Sequence, residues 1–193
     1  MIKSILAAAI AVIFATFTLS AQARDVGGVQ LSETMQTDSG KLILNGGGIR
    51  TKTFFDIYVA GLYLTKENHN FKQIIDADEP MAINITITSG LVTSERFIEA
   101  CEAGFQRSTN GNMAPLKDKI DLVYTAFRQK FSKGDVFNIV YEPNKGTSFY
   151  KNKNFIATQE GLDLKKALFG IWIIDKPSHK NEKLRKGMLG IAE

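Results

Sequence analysis

Cysteine is almost absent from this chain, since Cys101 is the only one among 193 residues. A single thiol cannot form an internal disulfide, so packing has to stabilise the fold. Cys101 lies on the apolar side of a segment with helical periodicity. We therefore predict that it is a small buried hydrophobic residue and not a reactive thiolate, which needs an accessible, electropositive site.

Histidine is scarce as well. His69 and His179 are the only two, and both lie in polar segments without other metal-binding side chains at ligand spacing. The sequence contains no G-x-S-x-G, no C-x-x-C and no Gly-Lys-Ser/Thr phosphate-binding motif. We therefore expect no metal site and no cofactor, and these absences argue against serine-hydrolase and P-loop chemistry.

Long runs of one charge sign are also missing. The chain has 24 Lys and Arg against 20 Asp and Glu, which gives a formal net charge of +4, and the lysines are spread along it. This pattern gives no support for nucleic-acid binding. A mildly basic protein is nevertheless weakly attracted to anionic ligands and lipid headgroups.

The N-terminus has the three parts of a secretory signal peptide. Lys3 precedes an uncharged, mostly apolar run over residues 5–19, and Ala21-Gln22-Ala23 has the form of a cleavage site. The apolar run is short for a membrane span, and no cysteine follows the site as in a lipoprotein. We predict a signal peptide over residues 1–23 and a mature single domain over residues 24–193, which is 193 − 23 = 170 residues. Such a protein is periplasmic or secreted, without a stable membrane anchor.

Apolar periodicity predicts strands before and after a block of helices. The pattern favours strands over residues 41–44, 53–65 and 81–89, with a tight turn at Asn45-Gly46. The strand over residues 53–65 is apolar on both faces, which is typical of a central strand covered on both sides.

Two helices are predicted next, and then a meander of short strands. The first helix begins at Thr93 or Ser94 and the second at Pro115, a favoured first residue. After the meander, apolar helices are predicted over residues 160–174 and 182–189. Strands and helices that are segregated in this way favour an α+β fold with an antiparallel sheet.

Arg50 is the main candidate for a binding residue. It lies between three consecutive glycines and an apolar strand, where the glycines allow a ligand to approach the backbone closely. A guanidinium offers a planar fork to a carboxylate or phenolate, and Tyr58 on the next strand offers a hydroxyl. Lys52 is a rival cation. The alternative is that Arg50 is a solvated loop arginine.

Three segments taken together, "NGGGIR…FFDIYVAGLYL", "ALFGIWIIDKP" and "LRKGMLG", resemble the chalcone isomerase-like family, in particular its exported bacterial branch. The resemblance covers roughly residues 29–190. It implies an open-faced β-sandwich, in which helices are layered on one side of a large antiparallel sheet and a ligand cleft lies between them. This agrees with the α+β fold class.

The resemblance also implies roles for single residues. Arg50 matches the arginine that stabilises the anionic oxygen of the substrate in the plant enzymes, and Tyr58 matches a threonine of the following strand. The catalytic tyrosine and asparagine of the plant enzymes fall near Thr93 and Ala100. The hydroxyl and amide that orient the substrate carbonyl and a water are thus not matched here, although such groups carry much of the rate. Relatives that lack them are similar to fatty-acid-binding proteins, in which the same arginine grips a carboxylate.

Our leading hypothesis is a periplasmic, non-catalytic binder of a small amphiphilic anion, such as a fatty acid or a phenolic compound. The candidate ligand-binding residues are Arg50, Lys52, Tyr58 and Thr93. One alternative is an intramolecular lyase of the chalcone isomerase type, acting on an unknown substrate with Arg50 as its catalytic residue. Another is a haem-binding protein, whose axial ligand would be a histidine, a tyrosine or a methionine.

Overall fold

The computed structural model describes residues 22–174 and 181–191. Apart from its last two residues, the predicted signal peptide lies outside the described residues, and so does His179.

The described residues form nine strands and five α-helices. The strands are β1 (Ala23–Val26), β2 (Val29–Ser32), β3 (Thr34–Thr37), β4 (Gly40–Lys52), β5 (Phe55–Leu64), β6 (Met81–Ile87), β7 (Val136–Glu142), β8 (Gly146–Lys151) and β9 (Asn154–Gln159). The helices are α1 (Phe71–Asp76), α2 (Ser94–Ser108), α3 (Lys117–Ala126), α4 (Leu162–Ile173) and α5 (Glu182–Met188), and a 3-10 turn (Ala114–Leu116) precedes α3. In this part of the chain no helix has the length and apolar character that crossing a membrane requires.

Strands β3 to β9 form one seven-stranded sheet, in which each strand pairs antiparallel with the next one along the chain. The hairpin of β1 and β2 contacts β4 and shares a small apolar core with one face of the sheet. The helices pack on the other face around the main core. The predicted α+β fold with an antiparallel sheet and a helical layer is confirmed.

Strand β5 is covered on both faces, as its sequence predicts. Ala60 and Leu62 are buried in the main core beneath the helices. Val59 and Tyr63 are buried on the opposite side, and the Tyr63 hydroxyl donates a hydrogen bond to the Ser32 carbonyl at 2.9 Å. The apolar residues on the two faces of β5 therefore pack in two different places, one in the main core beneath the helices and one in the small core on the opposite side.

Helix α2 begins where its capping residue predicts. The side-chain oxygen of Thr93 accepts a hydrogen bond from the backbone N–H of Arg96 at 3.3 Å, which satisfies one of the free donors of the first turn. Phe97, Cys101 and Phe105 recur every fourth residue and are all buried. This stripe directs the helix against the sheet.

The tight turn predicted at Asn45-Gly46 is wrong. Strand β4 continues through these residues to Lys52, and the reversal into β5 occurs at residues 53–54. Asn45 is instead the extra residue of a β-bulge, and its side chain is buried. It donates to the Met188 carbonyl at 3.1 Å and accepts from the backbone N–H of Asn68 at 2.8 Å.

Helix α5 explains why this strand contains glycines. A Cβ atom on Gly46 would lie 2.2 Å from the carbonyl oxygen of Gly187, and one on Gly48 would lie 2.4 Å from that of Leu184. The glycines are therefore needed for close approach of a helix and not for a turn. The residues at this point are typical of a turn, but the chain stays extended here because a helix that is distant in sequence packs on it.

Candidate functional site

A cleft of about 510 Å³ opens between the ends of β4 and β5 on one side and α2 and α4 on the other. We use "the cleft" for this space throughout. Its apolar walls are formed by Ile57, Val92, Phe97, Ala100, Cys101 and Ile171.

Arg50 enters the cleft because of its position on β4. Alternate residues of a strand share a face, so Arg50 follows Gly46 and Gly48 on the face that α5 covers. It is the next residue on this face beyond the contact between Leu184 and Gly48. Its Nη1 donates to the carbonyl of Thr51 at 2.9 Å. The strand thus places the guanidinium, half-buried, in the wall of the cleft.

Tyr58 is the cross-strand partner of Arg50 in the β4–β5 ladder. Its hydroxyl is buried and accepts a hydrogen bond from Trp172 Nε1 at 3.2 Å, which leaves its own hydrogen available for an acceptor. Burial raises the pKa of Tyr58 to about 12, although the Trp172 hydrogen bond and the charge of Arg50 act in the opposite direction. At neutral pH Tyr58 is therefore a hydrogen-bond donor and not a base. The hydrogen bond from Trp172 orients the hydroxyl.

Cys101 lies at the buried side of the cleft. Burial raises the pKa of its thiol to about 12. A neutral thiol is a poor nucleophile, so Cys101 contributes an apolar surface here. The prediction of a buried small residue is confirmed.

Further cations line the cleft. Lys52, at the end of β4, was expected, but Arg96 and Arg107 on α2 were not identified from the sequence. These two arginines are 11 residues apart, which is about three helical turns, so they share one side of α2. That spacing is the signal that would have found them. None of the described residues that line the cleft is an aspartate or a glutamate.

The other sequence candidates lie elsewhere. The side chain of Thr93 caps α2, and Thr93 is not among the residues that line the cleft. His69 lies beside the end of α5, where its Nδ1 is 2.6 Å from the carbonyl oxygen of Leu189. Over residues 22–174 and 181–191, no three His, Cys, Asp or Glu side chains are grouped in a way that could hold a metal ion.

The arrangement suits a ligand with one apolar part and one anionic part. Apolar walls exclude water, and a positive charge next to such walls acts in a medium of lower dielectric than bulk solvent. Arg50 and Tyr58 offer N–H and O–H donors from neighbouring strands. The described residues of the cleft supply no carboxylate to act as a general base.

The model of the chalcone isomerase-like family matches residues 23–190 of this chain. Among solved structures, a fatty-acid binding protein of Arabidopsis thaliana is similar in fold, with a TM-score of 0.67 and 16% sequence identity. The match covers 84% of this chain and 92% of that chain. No curated protein sequence matches this chain.

Proposed function

The chain belongs to the chalcone isomerase-like family, and on that premise we propose that it is an exported, non-catalytic binder of a small amphiphilic anion held in the cleft. A fatty acid or a phenolic anion has the required chemistry. The observation that carries this proposal is the presence of Arg50 and Tyr58 side by side in the wall of a cleft that most of its other described residues line with apolar side chains.

The polar part of the site supports an anionic group. Hydrogen bonds to charged groups contribute about 1.5–3 kcal/mol each, roughly twice the contribution of neutral ones. A carboxylate or phenolate oxygen next to β4 would accept from the Arg50 guanidinium and from the Tyr58 hydroxyl, which is protonated at neutral pH. Arg96 and Arg107 on α2 add positive potential.

The apolar part of the site supports a hydrocarbon or aromatic tail. Its volume of about 510 Å³ falls within the roughly 300–1,000 Å³ of ordinary small-molecule pockets. Side chains of Ile57, Phe97 and Ile171 form much of the wall. The Arabidopsis neighbour, which is described as a fatty-acid binding protein, supports a fatty acid as the first ligand to test.

The residues near the cleft also support binding without catalysis. The positions that resemble the plant tyrosine and asparagine are Thr93 and Ala100. The Thr93 hydroxyl is used as a helix cap, and Ala100 presents only a methyl group to the cleft. Neither can orient a substrate carbonyl or a water, which much of an enzymatic rate enhancement depends on.

Export is part of the proposal because of the sequence of residues 1–23. Their positive start, apolar centre and A-x-A end are typical of a cleavable secretory signal. N-terminal sequencing of the protein from a periplasmic extract tests this separately. A first residue of Arg24 is expected, and an intact Met1 in the cytoplasmic fraction would contradict export.

The main experiment compares the mature wild-type protein with Arg50→Ala. Native mass spectrometry with extraction identifies any retained ligand, and calorimetric titration with laurate measures affinity. We expect affinity to fall about 10- to 100-fold in Arg50→Ala, because a charge-assisted hydrogen bond is lost. Arg50→Lys keeps the charge without the planar fork and should lie between the two.

Arg128→Ala is the matched control, since Arg128 is an exposed arginine that does not line the cleft. Circular dichroism verifies that each variant is folded. Equal laurate affinity in wild type and in folded Arg50→Ala would overturn the assignment of Arg50 as the ligand-binding residue. Turnover of a chalcone above the spontaneous rate, lost in Arg50→Ala, would overturn the non-catalytic reading.

A further inference from the structure

Three large apolar side chains are exposed at the mouth of the cleft. The exposed fractions are 91% for Phe54, 58% for Phe55 and 52% for Leu91. We call these three residues the apolar rim. Exposed apolar residues that cluster in this way are typical of an interaction site, because exposure of apolar side chains to water is unfavourable.

Two segments of the chain bring the rim together. Phe54 lies in the two-residue turn between β4 and β5, and Phe55 is the first residue of β5. Leu91 belongs to the loop that precedes α2. That loop is held against β5, since the backbone N–H of Thr88 donates to the carbonyl of Ile57 at 3.1 Å. Phe55 and Leu91 both line the cleft, so the rim borders its opening.

The turn between β4 and β5 also contains a strained backbone residue. Thr53 has a φ of +57°, in the left-handed region that β-branched residues rarely adopt. Strain at a turn whose next residue is a fully exposed phenylalanine is typical of a functional segment. The β4–β5 turn therefore combines backbone strain with an exposed apolar side chain.

Two positive charges lie beside the rim. Lys52 pairs with Phe55 across the β4–β5 ladder, and Arg96 Nη1 donates to the carbonyl of Leu91 at 3.3 Å.

Two carboxylates are also near, but each has a polar neighbour. Asp56 accepts a hydrogen bond from the Thr51 hydroxyl at 2.7 Å, and Glu95 accepts one from the Ser94 hydroxyl at 3.1 Å. Together with Arg50 inside the cleft, the cations outnumber these carboxylates.

We propose that this end of the molecule docks on the surface of an anionic lipid bilayer, with the apolar rim at the level of the headgroups. Phenylalanine and leucine side chains insert at the boundary of headgroups and acyl chains in interfacial proteins, and lysine and arginine near the surface are attracted to anionic headgroups. The cleft would then open onto the membrane, from which an amphiphile can pass without crossing bulk water. The inference rests on the proposed function, because a membrane is the natural source or destination of such a ligand.

The test measures binding of the mature protein to phosphatidylglycerol vesicles by co-sedimentation, for wild type, Phe54→Ser and Phe155→Ser. Phe155 is a matched control because it is 60% exposed but lies on β9, at the other end of the strand order from the β4–β5 pair. We expect Phe54→Ser to reduce the partition coefficient about tenfold, since insertion of one phenylalanine is lost. Phe155→Ser should bind like wild type.

Lipid charge and salt provide further readouts. Binding should be weaker to phosphatidylcholine vesicles and should decrease as sodium chloride is raised, because salt screens the cations around the rim. In Phe54→Trp the added fluorescence should shift to the blue when vesicles are present, which Phe155→Trp should not show. Absence of vesicle binding in wild type, or equal binding of wild type and Phe54→Ser, would overturn the proposal.

Laurate titration without vesicles separates this proposal from the proposed function. Phe54 does not line the cleft, so Phe54→Ser should bind laurate like wild type. Arg50→Ala should lose laurate but still bind vesicles. If wild type is a dimer by light scattering and Phe54→Ser is a monomer, a second copy of the chain covers the rim and membrane docking is wrong.

Discussion

At the scale of single residues, Lys165 is the most unusual buried group. The side chain is fully buried on α4, and its ammonium donates to three backbone carbonyls at the end of α1. The distances from Nζ are 2.9 Å to Ile74 O, 2.8 Å to Ile75 O and 2.6 Å to Ala77 O. An ammonium has three N–H donors, so one side chain satisfies three carbonyls that the short helix cannot pair itself.

The Lys165 ammonium is protonated at neutral pH, so it can form all three hydrogen bonds. Burial lowers the pKa of Lys165 to about 8, and the neighbouring charge of Lys166 acts in the same direction. Below that pH the side chain retains all three donors. We therefore regard Lys165 as a structural residue that fixes α1 to α4.

Replacing Lys165 with methionine should lower the free energy of unfolding by about 1–3 kcal/mol, because buried carbonyls lose their donor. Urea denaturation at neutral pH measures this loss. Lys166→Met is the control, since Lys166 forms only an exposed ion pair with Asp76 at 3.3 Å and such pairs contribute about 0–1 kcal/mol. Equal stability of the two variants would show that the three hydrogen bonds contribute little.

The sequence predicted only part of the site at this scale. Arg50 was found because a charged residue stands alone between glycines and an apolar strand, and the structure places Tyr58 opposite it. Arg96 and Arg107 were not found, because a charge on a helix does not reveal which surface it faces until the neighbouring strands are known. Thr93 was recognised as a cap from local chemistry alone.

At the scale of elements, the contact of β4 with α5 is made backbone to backbone. The two segments approach through Gly46 and Gly48 on the strand and through Gly187 on the helix, where a Cβ would lie 2.4 Å from the carbonyl oxygen of Gly47. Backbone atoms cannot rotate out of the way as a side chain can. Any side chain at these positions has to displace the helix.

Gly48→Ala should therefore lower the free energy of unfolding by about 1–3 kcal/mol, the usual cost of overpacking. Thermal and urea unfolding measure the change. Gly90→Ala serves as the control, since no atom lies within 4 Å of a Cβ built on Gly90; its stability should stay within about 0.5 kcal/mol of wild type. A Gly48→Ala protein as stable as the control would show that α5 shifts without loss.

The same contact shows which elements the sequence could predict. Helix α2 and strand β6 were found, because a cap, a stripe of apolar residues or an alternating pattern is contained within each element. The turn at Asn45-Gly46 was wrong, because the reason for the glycines lies in α5, far along the chain. The six residues of α1 were missed, since Lys165 on another helix completes its hydrogen bonds.

At the scale of the whole molecule, the order of elements along the chain was sufficient to predict the architecture. Each sheet strand pairs with its neighbour in sequence, so a meander and a block of helices lead directly to a sheet with one helical layer. The short strands β1 to β3 were not predicted. Their apolar patterns are only four residues long, too short to be distinguished from a loop.

The free energy of unfolding should decrease at alkaline pH, and the part of this decrease that is due to Cys101 can be measured. Burial raises its pKa from the ordinary 9.0 to about 12, so between these values the unfolded chain releases a proton that the folded protein keeps. The contribution is fully present below pH 9.0 and is lost as pH rises towards about 12. Relative to Cys101→Ala, the wild type should lose about 1.4 kcal/mol between about pH 8 and about pH 10.

Urea denaturation of both proteins at the two pH values gives this difference. Tyr58 and the other titrating groups are present in both proteins, so their contributions cancel. An equal change in wild type and Cys101→Ala would mean that the thiol ionises inside the folded protein.

The docking of α5 on β4 also makes one wall of the fold depend on a segment that is made late relative to the sheet. Gly46 and Gly48 precede Leu184 and Gly187 along the chain, so a ribosome makes β4 long before it makes α5. Until then the glycine face of β4 has no cover, and the wall that carries Arg50 has no neighbour at the position of α5. A chain that stops before residue 182 thus leaves the glycine face of β4 open to solvent, although the strand keeps its pairing with β3 and β5.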